Sequence, residues 1–316
     1  MENVIICGLG AVGLTYAMKF RDKCTLKILV DNERLKRYTE SKPVFNGIEQ
    51  NFEYILPSDK FDADLIIIAT KAQGLKSAIQ NIKNFVSEKT KILSLLNGIS
   101  SEQEIKKVYP MAKVLKSYFI GHSAVRTGNS VTQDGVGEIV MEKDDEVINF
   151  FDKLGINHQT PSNIDYSMWL KFTMNIFSNQ TSAILNLTFG EMKNSPEFIL
   201  LAKKIINEVR LIAEKENVSG LENLEADALK ALARMCDEGK TSMLQDIIAG
   251  RKTEVDIFAG EIIRLGQKYD IPTPYNQVLF DLIKVKEGIV SSRGDKFEYS
   301  VHTRKRRKQV HSTQKY

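Results

Sequence analysis

Val4-Ile5-Ile6-Cys7 runs straight into Gly8-Leu9-Gly10-Ala11-Val12-Gly13, and few short stretches limit a fold as tightly. An apolar run of strand length, then G-x-G-x-x-G, then a helical pattern specifies the strand–turn–helix that binds dinucleotides. The first glycine permits a tight bend, the second lets the backbone approach a pyrophosphate, and the third lets the helix pack on the strand. Gly8, Leu9, Gly10, Ala11, Val12 and Gly13 are therefore candidate cofactor-binding residues. The diphosphate belongs at the helix N-terminus, where N–H groups and the dipole favour an anion. A merely structural glycine-rich turn is the alternative, and the strand-to-helix context speaks against it.

The alternation continues. Strands are predicted at 26–30, 64–70, 91–96 and 113–120, with helices at 11–21, 75–85 and 101–108. Continuous apolar strands alternating with helices indicate a parallel sheet covered on both faces. A late strand of a mixed sheet is expected at 135–141 and a short helix at 146–154. The pattern changes at Thr160-Pro161-Ser162-Asn163, where a proline and small capping residues mark a helix start. From there helices are predicted at 164–186, 196–217, 222–236, 253–269 and 274–286. The fold class is α/β: a Rossmann-type domain over 1–162, then an all-α domain over 163–289. A basic tail over 290–316 lacks periodicity and is expected to be disordered.

That tail distorts the charge. The chain of 316 residues carries +4, yet six cations without an acid lie from Thr303 onward (Arg304, Lys305, Arg306, Arg307, Lys308 and Lys315), so the remainder is −2. A near-neutral body is not the footprint of a nucleic-acid-binding protein. No apolar run reaches the length of a membrane span. The three cysteines, Cys7, Cys24 and Cys236, form no metal or redox spacing. With no basic leader before the first strand, a cytoplasmic protein without a metal is expected. The partner expected is a small-molecule substrate, not nucleic acid or membrane; a homodimer stays open.

In open parallel sheets ligands bind outside the carboxyl ends of the strands. Asp31 ends the second strand, where an acid accepts hydrogen bonds from the adenosine ribose and favours NAD. Arg34, Lys36 and Arg37 follow and could instead meet a 2′-phosphate. Lys71 and Asn97 end two further strands, within reach of cofactor or substrate; a surface lysine and plain Asn97-Gly98 turn chemistry are the alternatives. His122 follows another strand end, and a structural role is favoured for it.

The segment from Met168 to Asn179 is mostly apolar, and one polar stripe runs along it. Lys171, Asn175 and Asn179 stand four apart, about one per helical turn, and Ser182 and Asn186 continue the row. Solvated helix faces in this chain read Lys/Glu, as in Ala213-Glu214-Lys215-Glu216. A lone cation among amides suits a cleft, although an ordinary wet face has the same spacing.

Together these residues resemble the 2-dehydropantoate 2-reductase (ketopantoate reductase) family. The matching pieces are the glycine fingerprint, Thr70-Lys71-Ala72, Leu96-Asn97-Gly98, and Lys171 with Asn175 and Asn179. Ser242-Met243-Leu244-Gln245-Asp246 and Arg251-Lys252-Thr253-Glu254-Val255-Asp256 follow in family order, and the likeness spans about residues 3 to 288. The resemblance implies reduction of ketopantoate to pantoate by NADPH, in pantothenate biosynthesis. It makes Lys171 the general acid and places Asn97 near the reacting centre. Asn175, Asn179, Ser242 and Glu254 then contact substrate, and Lys71 helps hold cofactor. Ser242 could alternatively be only a helix N-cap, and Glu254 only a first-turn acid. A lysine cation both stabilises charge developing on the carbonyl oxygen and can protonate it. With Lys171 and Glu254 on one domain and the fingerprint on the other, an interdomain cleft is expected.

Two departures matter. Asp31 stands where many members carry an arginine for the 2′-phosphate, so NAD is the alternative cofactor. Phe189 stands before Gly190-Glu191 where some members carry a further substrate asparagine. The rival readings are a reductase of another 2-oxo acid and a non-catalytic nucleotide-binding module. A hydroxyacyl-type dehydrogenase would require a histidine near residue 140, and none is there.

Overall fold

The computed structural model describes residues 1–121 and 123–289. His122 and the tail over 290–316 lie outside the described residues. The chain divides into two compact units between Met168 and Trp169.

The N-terminal unit is built on a parallel sheet of order β5-β2-β1-β6-β7-β8. Its strands are β1 (Asn3–Cys7), β2 (Thr25–Leu29), β5 (Tyr54–Ile55), β6 (Leu65–Ile68), β7 (Lys91–Ser94) and β8 (Lys113–Leu115). Every residue of β6 is buried, and alternate residues feed opposite faces. Val4, Ile6, Leu65, Ile67 and Leu93 enter one core, which includes Leu14 and Phe20 of α1 (Ala11–Phe20). Ile5, Ile66, Ile68 and Ile92 enter the other, beneath α3 (Leu75–Asn81) and α4 (Ser101–Val108). This two-faced burial is why the strands read as unbroken apolar runs.

The structure corrects several boundaries. The strand expected over 113–120 is two: β8 closes the parallel sheet, and β9 (Ser117–Ile120) pairs antiparallel with β12 (Glu138–Met141). β12 pairs parallel with β13 (His158–Gln159), so the late strand is in a mixed sheet, but a separate one. A third sheet has the order β10-β11-β3-β4, from β3 (Val44–Phe45), β4 (Ile48–Glu49), β10 (Ser123–Thr127) and β11 (Ser130–Asp134). The sequence reading missed it, as it missed α2 (Asn32–Glu40). α5 (Asp145–Leu154) starts on Asp144, whose carboxylate caps Val147 N and pairs with the buried Lys91 ammonium at 2.6 Å.

The C-terminal unit is helical and begins partway along its first helix. The long helix expected at 164–186 is broken: α6 (Ile164–Met174) passes into a π turn (Asn175–Asn179) and then α7 (Gln180–Leu185). Side chains that bond carbonyls four residues back compete with the α-helical ladder and bend it. Four do so here: Thr173 to Trp169, Ser178 to Met174, Gln180 to Ile176 and Thr181 to Phe177. After α8 (Phe189–Lys193), α9 (Pro196–Lys215) forms the axis of the unit, capped by Ser195. α10 (Leu224–Ala233), α11 (Ser242–Ile248), α12 (Ala259–Tyr269) and α13 (274–289) complete it. The buried Glu208 carboxylate of α9 accepts the Tyr275 and Asn276 N–H groups at 2.8 and 3.0 Å, which caps α13.

Candidate active site

β1 lies between β2 and β6 in the sheet, so successive connections leave it in opposite directions. A crevice opens at such a switch point, beyond the carboxyl ends of the strands. At Gly8 the backbone adopts φ +103°, and a Cβ would stand 2.9 Å from the Ala69 carbonyl oxygen. A Cβ at Gly13 would stand 1.7 Å from the Gly8 carbonyl oxygen, so only glycine allows α1 to start this close to β1. A Cβ at Gly10 would meet only the Ala69 oxygen, at 3.8 Å, which leaves open space over the loop. α1 has no side-chain cap and no acid in its first turn, so its leading N–H groups suit an anion. Beside this loop the buried Thr70 hydroxyl has no hydrogen-bond partner among the described residues. The cradle therefore fits a dinucleotide diphosphate by its chemistry and by its free space.

Asp31 is already engaged. Its carboxylate caps α2, accepting Arg34 N at 2.7 Å, and pairs with the Arg34 guanidinium. Both sides of the expected contest between ribose and 2′-phosphate thus meet in one ion pair. Lys71 is exposed and precedes the turn Ala72–Gly74; Asn97 is half-buried beside Gly98 at φ +97°. Beneath Asn97 lies a buried polar cluster. Ser94 Oγ and Ser101 Oγ are 2.8 Å apart, so they close the loop that carries Asn97. Ser101 Oγ donates to Glu102 Oε2 at 3.0 Å, and Ser117 N donates to Oε1 at 3.3 Å. Burial pushes the Glu102 carboxyl up to about 7, against its own N–H, Ser101, the Ser117 N–H and Lys116, which favour the anion.

In the C-terminal unit the polar row is not a wet face. Lys171 and Asn175 are half-buried and Asn179 is buried, with Asn179 Nδ2 donating to Asn175 Oδ1 at 3.3 Å. A four-residue step overshoots an α turn and falls short of the wider π turn, so the winding drift reverses at Asn175 and the three stay aligned. The row ends at Asn179. Ser182 is fully buried and donates to the Leu187 carbonyl at 2.6 Å, and Asn186 takes the left-handed C-cap of α7.

α11 packs against α7 and the π turn, which brings Ser242 to this side. Ser242 is not the N-cap: Thr241 caps Leu244 N at 3.2 Å, and Ser242 is exposed in the first turn. Glu254 is half-buried and leads into the turn Val255–Ile257. The Phe258 ring lies tilted against that of Phe172 with centroids 6.3 Å apart, so this turn sits beside the helix that carries Lys171. Phe189, the departure from the family pattern, is buried, and its ring occupies the space left by Gly239.

Comparison with known proteins reports on both units. The family model described as "Ketopantoate reductase PanE/ApbA" matches residues 4–146, and its C-terminal counterpart matches 163–287. The chain belongs to the ketopantoate reductase family. A 2-dehydropantoate 2-reductase of Streptococcus pyogenes serotype M6 is 27% identical over 303 residues, 91% of this chain and 99% of the relative. One from Lactococcus lactis is 28% identical, over 92% of this chain and the whole relative. Among solved structures, a D-mandelate dehydrogenase with NADH and anilino(oxo)acetate matches at TM-score 0.81 and 26% identity, over 92% of this chain and all of that one.

Within this ketopantoate reductase family chain, three supports escaped the sequence reading. Arg251 Nε donates to Asp246 at 2.7 Å, Glu287 accepts from Thr253 N and Oγ at 2.7 Å, and Lys284 pairs with Asp256 at 2.7 Å. These contacts brace both sides of Glu254. Glu102 was also missed, because an acid in a first helical turn reads as a solvated dipole partner. Arg126 was missed because it lies in the overlooked hairpin β10–β11.

Proposed function

We propose that the chain reduces 2-dehydropantoate to pantoate, taking hydride from NADPH or NADH and a proton from Lys171. One observation carries this reading: a lysine held half-buried in a row of amides, in a chain whose other unit bears the dinucleotide fingerprint. The bound cofactor supplies the hydride; the protein supplies geometry and the proton. Lys171 offsets the charge growing on the carbonyl oxygen and transfers its proton there. Asn175 and Asn179 each carry donors and acceptors, which suits a substrate with both carboxylate and hydroxyl groups. Glu254 accepts from the substrate hydroxyl, and Ser242 adds a further hydroxyl contact. Asn97 orients the reacting centre, and Lys71 neutralises bound anion. Asp31 and Arg34 read the adenosine end and so decide between NADH and NADPH.

A second reading keeps the chemistry and changes the 2-oxo acid. The likeness to a D-mandelate dehydrogenase solved with NADH favours it, together with Asp31 and Phe189. The test is to follow oxidation of NADPH and NADH with ketopantoate and a panel of 2-oxo acids, phenylglyoxylate included. Lys171→Ala should lower kcat by about 10²–10⁴-fold and leave cofactor affinity intact. No turnover of any panel member sinks the enzymatic reading; best turnover of an aromatic 2-oxo acid selects the second one.

A further inference from the structure

We propose that Arg126, on the β10–β11 hairpin, is a cation for the diphosphate at the glycine loop; this rests on the dinucleotide reading above. Its guanidinium is held by two main-chain carbonyls, with Nε donating to Gly128 O at 2.8 Å and Nη1 donating to Leu9 O at 3.1 Å. Leu9 is the second residue of the fingerprint, so the charge sits on the loop itself. Guanidinium has five N–H donors, and these bonds use two. Among the described residues no carboxylate pairs with Arg126, whereas Arg34 has Asp31 and Lys91 has Asp144. An unneutralised arginine with spare donors is a ready partner for phosphate oxygens.

The fingerprint needs such a cation. Ala11, Val12, Gly13 and Leu14 form the first turn of α1 and carry no charge. The loop offers N–H groups and a helix dipole worth about half a charge, against the two negative charges of a diphosphate. The hairpin that supplies Arg126 is firmly placed. β11 pairs with β10 and β3, and Val131 of β11 is buried in the core that includes α1. The guanidinium is therefore aimed by packing as well as by its own bonds.

The test compares the full chain with Arg126→Gln and Arg126→Lys, using calorimetric titration with ADP-ribose and NADH from 20 to 500 mM salt. Glutamine keeps a donor for the Leu9 carbonyl and removes the charge; lysine keeps the charge. Arg126→Gln should bind ADP-ribose about ten- to a hundredfold more weakly, the scale of one charge-assisted hydrogen bond. Its Kd should also depend less steeply on salt, by the share of one cation beside Lys71, while Arg126→Lys keeps the slope of the parent chain. A loop pin without electrostatic purpose predicts different behaviour: Arg126→Gln binding within twofold of the parent with an unchanged salt slope, and that result overturns the proposal. Failure of the parent chain to bind either ligand overturns the dinucleotide reading itself.

Discussion

Replacing Glu102 by glutamine should change how stability depends on pH, and the size of the change follows from its surroundings. Glu102 is 8% exposed and sits among Ser94, Ser101 and Ser117. Burial raises its carboxyl from 4.5 to about 7. A carboxyl raised in the folded state contributes its full stability below pH 4.5 and loses it as pH rises through 7, because folding then requires an extra proton or a buried anion. The displacement corresponds to about 3 kcal/mol in total, of which about 2.5 kcal/mol is lost between pH 5 and 8.5. Glutamine has the same shape: its oxygen accepts the Ser117 N–H, and its amide donates to Ser101. It carries no titrating proton, so Glu102→Gln should be more stable than the parent chain at pH 8.5 relative to pH 5 by that amount. Amide exchange of the β7 strand, corrected for intrinsic rates, reads the opening free energy of this unit at both pH values. Every other titrating group cancels in the difference of slopes. Parallel pH profiles for the two proteins would refute the argument, because Glu102 would then be ionised at little cost.

Three further outcomes are expected. Gly13→Ala puts a Cβ 1.7 Å from the Gly8 carbonyl oxygen, so the loop must open; a loss of about 1–3 kcal/mol and of NADH binding should appear in thermal melts and titrations. Asp31→Ser keeps a capping hydroxyl but frees the Arg34 guanidinium, so kcat/KM for NADPH relative to NADH should rise about tenfold; an unchanged ratio removes this pair from cofactor choice. Asp144→Asn should cost about 1–3 kcal/mol in urea titration, since the buried Lys91 ammonium loses its closest anion and keeps only the exposed Glu146 at 2.8 Å. Burial alone would raise the Asp144 carboxyl, but Lys113, Lys91 and the Val147 N–H bring it down to about 2, so its stabilisation is present above pH 3.8 and lost as pH falls through 2; the asparagine variant should lack that part of the acid transition.

What could be read from sequence depended on the range of the cause. Leu65–Ile68 is buried on both faces, and its unbroken apolar run says so without reference to any partner. The strands Val44–Phe45 and Ile48–Glu49 are too short for any periodicity, and they exist because Asn46 and Gly47 turn the chain at positive φ beside β11. Ser242 looked like a cap because serine caps helices, yet Thr241 one residue earlier has the extended backbone that a cap requires. Phe189 was visible as a departure from the family pattern, but its burial against Gly239 depends on a segment fifty residues further on.

The Lys171 row shows why a correct spacing rule can rest on the wrong local structure. Four-residue spacing in a straight α-helix would carry Lys171, Asn175 and Asn179 progressively around the axis and extend the row to Ser182 and Asn186. The observed π turn reverses that drift, and the row stops after Asn179 because Ser182 turns inward to the Leu187 carbonyl. The back-bonding hydroxyls and amide of Thr173, Ser178, Gln180 and Thr181 are the legible cause, since these residues compete with the ladder wherever they cluster in a helix. They lie on the buried side, away from the row they shape. Replacing Ser178 and Thr181 together by alanine and valine should therefore restore α winding and swing Asn179 away from Lys171. Under the proposed mechanism, KM for the 2-oxo acid should rise while dinucleotide affinity holds. Unchanged KM would mean that the π turn is incidental to substrate binding.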